Sequence, residues 1–299
     1  MTPAENNLPW FHPTPGRLLV VLLAVEAILF LSKPWFPKGY ALLIAIASVG
    51  VTMVLMLIWW LVALCFHWRF QFSLRSLLVA TVAVAIPFSW LAVEMKKARE
   101  QREAVEAIQK RGGRVEYDIP FTGMKHPPLP VPLQLQRLLG KDFFKDAMQV
   151  IFWYTPATDA DLKLVEGLHS LDSLYLGDLD NTQVTDNGLK HLKWPTQLKE
   201  LWLRNTQVTD AGLVHLQRLS NLQLLNLDNT DITDSGLEYL RGLKQLRSLS
   251  LSGTNVTDAG LGHFQSLSNL VELDLRNTKV TDQGIKKLQQ ALPNCKIQH

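Results

Sequence analysis

The sequence predicts an α/β solenoid: stacked short repeats with a parallel β-sheet on the concave side and short helices outside, attached to an N-terminal α-helical transmembrane region. Three observations predict it. Leu198, Leu222, Leu246 and Leu270 recur every 24 residues. Within each unit, apolar positions first alternate and then fall at offsets of three, so a short strand gives way to a helical turn. Charge is also partitioned along the chain. Residues 1–95 hold eight charged side chains, Glu5, Arg17, Glu26, Lys33, Lys38, Arg69, Arg75 and Glu94, whereas residues 96–299 carry the charge density of an ordinary folded domain. That partition excludes a single water-soluble enzyme domain and a purely membrane-embedded transporter.

Residues 1–95 are read as a membrane region with two or three transmembrane helices, at about 18–32, 40–66 and 74–93. Tyr40 to Phe66 is a run of 27 uncharged residues, longer than the roughly 20 that span hydrocarbon as a helix. Leu77 to Val93 is shorter, with Arg75 placed to snorkel, Trp90 suited to an interface and Pro87 expected to kink it. Leu18 to Leu31 contains Glu26 and is read as a short span rather than a cleaved leader, because Ser32-Lys33-Pro34 is no small-residue cleavage site. Glu26 itself is expected to face neighbouring helices. Counted over three spans, Lys33, Lys38, Lys96, Lys97, Arg99 and Arg102 lie on one side, against Arg17, Arg69 and Arg75 on the other. The positive-inside rule then places residues 96–299 in the cytoplasm, as part of a multi-pass integral membrane protein.

Residues 96–146 form a connector: juxtamembrane helix, short strand, Pro-rich spacer and N-terminal cap. Residues 94–111 lack Gly and Pro, and the pairs Arg99–Glu103, Arg102–Glu106 and Glu106–Lys110 suit a solvated helix continuing the last span. Gly112 and Gly113 end it. Arg114 to Ile119 alternates as a strand. Pro127, Pro128, Pro130 and Pro132 make an extended spacer, and Leu133 to Leu139 with Phe143 and Phe144 suggests a helix capping the first repeat.

Residues 147–299 hold the repeats, L-x-x-L-x-L-x-[NG]-T-x-[VI]-T-D-x-G-[LI]. The unit at Leu198 reads LKELWLRNTQVTDAGLVHLQRLSN, and the one at Leu222 reads LQLLNLDNTDITDSGLEYLRGLKQ. The unit from Leu171 is 27 residues long. A degenerate unit before it uses Ala147, Val150 and Phe152 as strand positions, and a half-strand remains after Pro293. Such units cannot bury their apolar faces alone; stacking completes the core. The pattern resembles the leucine-rich repeat family of the LxxLxL type. Thr stands where that family usually has Asn, and Asn stands one place earlier, as in Asn205-Thr206, so an altered turn ladder is expected. With the Arg69–Leu78 run (RFQFSLRSLL) and the Thr206–Leu213 repeats (TQVTDAGL), the whole is also similar to bacterial membrane-anchored leucine-rich-repeat proteins. That resemblance implies a tethered interaction module without a catalytic mechanism.

Several ladders invite a site. Asp186, Asp210, Asp234, Asp258 and Asp282 are read with their threonines as helix openings, the hydroxyl capping and the carboxylate suiting the dipole, rather than as a calcium stripe. Asn181, Asn205, Asn229 and Asn277 are read as bonding turn backbone. His191, His215 and His263 fall on the outer, solvated side. No catalytic, metal or cofactor residues are assigned, and two cysteines, Cys65 and Cys295, exclude a disulfide framework. A domain-wide basic patch is missing, so nucleic acid is excluded as a partner, and no small-molecule substrate is expected. The concave face is the informative surface: Trp153, Tyr175, Trp202, Arg204 and Asp228 are the candidate protein-binding residues, and the equal alternative is that the 115–146 segment or the membrane surface covers the aromatics. The function expected is that of a membrane-anchored scaffold or adaptor touching the bilayer and an unknown protein partner. The alternatives are an enzyme subunit or substrate adaptor, and a membrane sensing or transport role involving Glu26.

Overall fold

The computed structural model describes residues 24–25, 27–28, 40–65, 74–117, 133–152, 156–177, 182–193 and 197–299. The chain forms two compact units. The first comprises Met1–Lys96 and His126–Phe144, the second Lys97–Lys125 and Lys145–His299. The first holds helix α1 (Tyr40–Cys65), the opening of α2 (Leu74–Lys110) and α3 (Leu133–Leu139). α1 is 26 residues long and has no charged residue. Its side chains are described over residues 42–54. Among the described residues, no helix is long and apolar enough to cross a membrane. Glu26 lies outside the described residues.

In the second unit, eight strands stand side by side in chain order: β1 (Arg114–Tyr117), β2 (Ala147–Ile151), β3 (Ser173–Tyr175), β4 (Glu200–Trp202), β5 (Leu224–Asn226), β6 (Ser248–Ser250), β7 (Glu272–Asp274) and β8 (Lys296–Gln298). β1 runs antiparallel to β2, and every later pair is parallel. The register sets Leu174, Leu201, Leu225, Leu249 and Leu273 against one another in a single buried row. Each strand returns through a short helix or 310 turn, including α4 (Asp159–Leu164), α5 (Asp186–Leu189), α6 (Asp210–Leu213) and α7 (Asp282–Ala291). Their leucines, such as Leu213, Leu216 and Leu219, complete the core from the other side. At about 1.5–3 kcal/mol for each fully buried leucine, this row of side chains is the main force holding the stack.

The turn after each strand differs from the expectation for Asn. Asn205, Asn229 and Asn277 adopt positive φ, 56°, 53° and 57°, and Gly253 does the same at 71°. Their identity is conformational, because Asn and Gly are the residues that tolerate the left-handed region. The buried turn backbone is served by the following threonine. Thr206, Thr230, Thr254 and Thr278 each donate a hydroxyl to the carbonyl three residues back, at 2.6–2.7 Å. Asn181 lies outside the described residues.

Asp186, Asp210 and Asp282 stand in the first turn, as the helix-opening reading expects, and the aspartate ladder has a second role that it lacks. The threonines do cap: Thr185, Thr209 and Thr281 accept from the N–H of Asn187, Ala211 and Gly284. The carboxylates also reach forward into the next unit. Asp159, Asp186, Asp210, Asp234 and Asp258 each accept from the backbone N–H, at 2.8 Å, and the hydroxyl, at 2.6–2.7 Å, of Thr185, Thr209, Thr233, Thr257 and Thr281. Neighbouring strands lie roughly 4.8 Å apart, which brings the next unit's threonine within reach of a short side chain. The glycine of T-D-x-G belongs to the same joint: a Cβ on Gly212, Gly236, Gly260 or Gly284 would collide with Asp186, Asp210, Asp234 or Asp258.

The first repeat is closed by residues that read as solvated in sequence. In α2, Ala104, Val105 and Ile108 join the repeat core with Val115 of β1. Gln101 is buried beside them, donating to the carbonyl of Lys145 at 2.8 Å and accepting from the N–H of Ala147 at 3.2 Å. Arg111 meets Asp161 at 3.0 Å, and Asp161 accepts from the N–H and hydroxyl of Thr158. Asp161 thus fills, within its own unit, the role that a preceding repeat's aspartate plays elsewhere.

Candidate functional site

The strands present three outward rows on the concave face. The row just after the central leucines runs Ile151, Tyr175, Trp202, Asn226, Ser250, Asp274 and Gln298, aligned by the parallel register. Ile151 is buried although it stands in this row. Tyr175 and Trp202 stack with ring centroids 5.5 Å apart and planes 23° from parallel. The Tyr175 hydroxyl donates to Glu200 at 2.8 Å. Burial, followed by that carboxylate contact, pushes the phenol above its ordinary ionisation range. The Trp202 indole N–H is buried and has no hydrogen-bond partner among the described residues. An unsatisfied donor of this kind costs on the order of 1–3 kcal/mol, which marks the spot as a place where fit to the fold is imperfect.

Arg204, two residues after Trp202, is exposed. Asp228 sits farther in than its outward position implies, at 9% exposure. It accepts from the Ser250 hydroxyl, from the Ser252 N–H at 2.9 Å and from the Asn226 amide at 3.1 Å. Asp274 holds Arg276 in a fork of bonds at 2.6–3.1 Å, and that hydrogen bonding keeps its carboxyl below the usual carboxylate range. These side chains surround an open concavity of about 280 Å³ running from Trp202 to Gln298. Of the five candidate residues, the structure brings Tyr175 and Trp202 into contact and sets Asp228 in the same groove as Trp202. Trp153 lies outside the described residues. Sequence reasoning places Asp274 and Arg276 on the concave face without choosing them as binding residues, and it does not pick out Glu200 or Glu272, although the strict period puts them in the same rows.

Other clusters are structural. His191 pairs with Glu166 at 2.7 Å and His169 with Glu100 at 3.0 Å. Among the described residues, no group of His, Cys, Asp or Glu is placed to hold a metal ion. Cys295 is a buried thiol pushed up to about 11, by burial and then by the charge of Glu272.

The leucine-rich repeat family model matches residues 218–240, 244–262 and 266–288. Among solved structures, an internalin (inlF) of Listeria monocytogenes is 26% identical over 46% of this chain, with a TM-score of 0.39, and the chain spans 36% of its length. Internalin C2 of the same organism is 27% identical over 50% of this chain and 70% of its own, with a TM-score of 0.36. A leucine-rich-repeat protein of Leptospira interrogans is 21% identical over 59% of this chain and 41% of its own, with a TM-score of 0.41. No curated protein matches the sequence. The family match thus covers three successive units between residues 218 and 288, on the ladder of leucine-bearing parallel strands, and identifies those units as leucine-rich repeats.

Proposed function

We propose that the chain is a membrane-anchored scaffold that captures a protein partner on the concave face of its repeat sheet. Leucine-rich repeats bind proteins as a general property, and the observation that carries the reading here is the stacked Tyr175–Trp202 pair at the head of an open groove. A large, pre-stacked aromatic surface loses little side-chain freedom when a partner covers it, which is the profile of an interface hot spot. Arg204 follows Trp202 by two residues, and Trp153 holds the equivalent position two residues after Ile151 in the sequence. The non-enzymatic reading rests on where the reactive groups are engaged: Asp159 to Asp258 staple repeats, Asp228 bonds its own sheet, and His191 is held by Glu166. The anchoring rests on the sequence, in the uncharged run from Tyr40 to Phe66, and the positive-inside rule favours a cytoplasmic repeat domain.

The test is site-specific photo-crosslinking in cells. A crosslinker at Ser248, on the concave face, is expected to capture a discrete partner, whereas one at Glu238, in an outer turn, is not. Trp202→Ala should weaken that capture by about thirtyfold, the loss of a hot spot worth roughly 2 kcal/mol, with the circular dichroism unchanged. Equal capture from both faces, or capture indifferent to Trp202→Ala, would refute the concave site. Protease added to intact cells should leave the repeats uncut.

A further inference from the structure

We propose that the groove takes a basic, extended peptide segment, with an Arg or Lys side chain laid over Trp202 and its charge directed at Asp228 and Glu272. This rests on the concave-face reading above and specifies the chemistry of its partner. The groove is lined by three carboxylates, Asp228, Glu272 and Asp274, against a single guanidinium, Arg276. That guanidinium is already engaged by Asp274 through three hydrogen bonds. Asp228 is bonded by three donors, the Ser250 hydroxyl, the Ser252 N–H and the Asn226 amide, all of them neutral. Dipoles solvate its charge directly, while Arg276 attracts it from a distance but is bonded to Asp274. Glu272 is exposed at the rim.

The three chemistries a partner could bring differ sharply in cost. An acidic segment would set like charges together. An apolar segment would strip water from the exposed carboxylate of Glu272 without replacing it. A basic segment supplies the missing countercharge. Geometry agrees. Asn226 stands beside Trp202 in register on the adjacent strand, and Asp228 is two residues beyond it. Strand spacing and rise put the Asp228 backbone roughly 8 Å from that of Trp202, within the span of one Arg or Lys side chain lying across the ring. The ring itself offers a face for the cation, and Tyr175 stacked behind it holds it in place. Ser248 and Ser250 sit along the floor as neutral partners for a peptide backbone.

The experiment uses the full chain in a nonionic detergent and two fluorescein-labelled nonapeptides with the same apolar residues, one carrying Arg and the other Glu at three alternate positions. Fluorescence anisotropy is expected to give at least about tenfold tighter binding of the Arg peptide. That preference should collapse in Glu272→Lys, in Trp202→Ala, and in roughly 0.5 M salt. Equal affinities, a preference for the Glu peptide, a preference untouched by Glu272→Lys, or no binding of either peptide would overturn the inference. Binding of both peptides, lost in Trp202→Ala, would reject the charge assignment while upholding the concave site. Binding unaffected by Trp202→Ala would count against both.

Discussion

At the scale of single residues, the repeat motif is a description of one joint. Thr caps its own turn and offers its N–H and hydroxyl backwards; Asp reaches forward to the next Thr; Gly leaves the space that the previous Asp occupies. The periodic sequence displays all three letters. It does not display that the aspartate's partner lies in another unit, because a one-dimensional repeat gives the same pattern whether a contact is local or a full period away. The Asn-to-Thr displacement is legible in the same partial way. The residues stand out, yet only the positive φ of Asn205, Asn229 and Asn277 separates a conformational role from a hydrogen-bonding one. A paired substitution tests the joint. Gly236→Ala drives a methyl into Asp210 and is expected to destabilise by about 1–3 kcal/mol. Gly262→Ala, which meets nothing within 4 Å, should be neutral or slightly stabilising by urea denaturation.

At the scale of elements, the sheet needs a first edge that is neither sticky nor unsatisfied. β1 closes it antiparallel, and α2 lays Ala104, Val105 and Ile108 over the apolar end of the stack. This cap is poorly legible in sequence. Three opposite-charge pairs advertise the wet face of residues 97–110, while the dry face that meets the repeats amounts to one alanine, two branched side chains and a glutamine. Gln101 is the residue the pattern hides best, since a polar side chain on a charged helix reads as surface. Its two bonds to the backbone at Lys145 and Ala147 tie helix to strand across more than forty residues of chain. Gln101→Leu leaves the Ala147 N–H without a partner and is expected to cost about 1–3 kcal/mol. Hydrogen exchange should accelerate in β1 and β2 while β6 and β7 stay protected.

At the scale of the whole molecule, the repeat unit is a chain of nearest-neighbour couplings, with each strand and each aspartate speaking only to the adjacent unit. The fold class, the strand rows and the period were all readable from the leucines, because stacking has no other way to bury them. The binding face was readable as a set of rows. Which members are exposed and which are buried was not, as Asp228 and Ile151 illustrate. Nearest-neighbour coupling gives a directional prediction. Asp234→Ala removes both bonds to Thr257, so amide exchange should quicken in β6, β7 and β8 and remain slow in β2 to β4. The glycine–aspartate joint has a consequence for heredity. Since every seam is the same seam, whole coils of 24 residues can be duplicated or deleted without redesign, whereas one letter of a seam cannot drift until its mate in the adjoining coil has changed too.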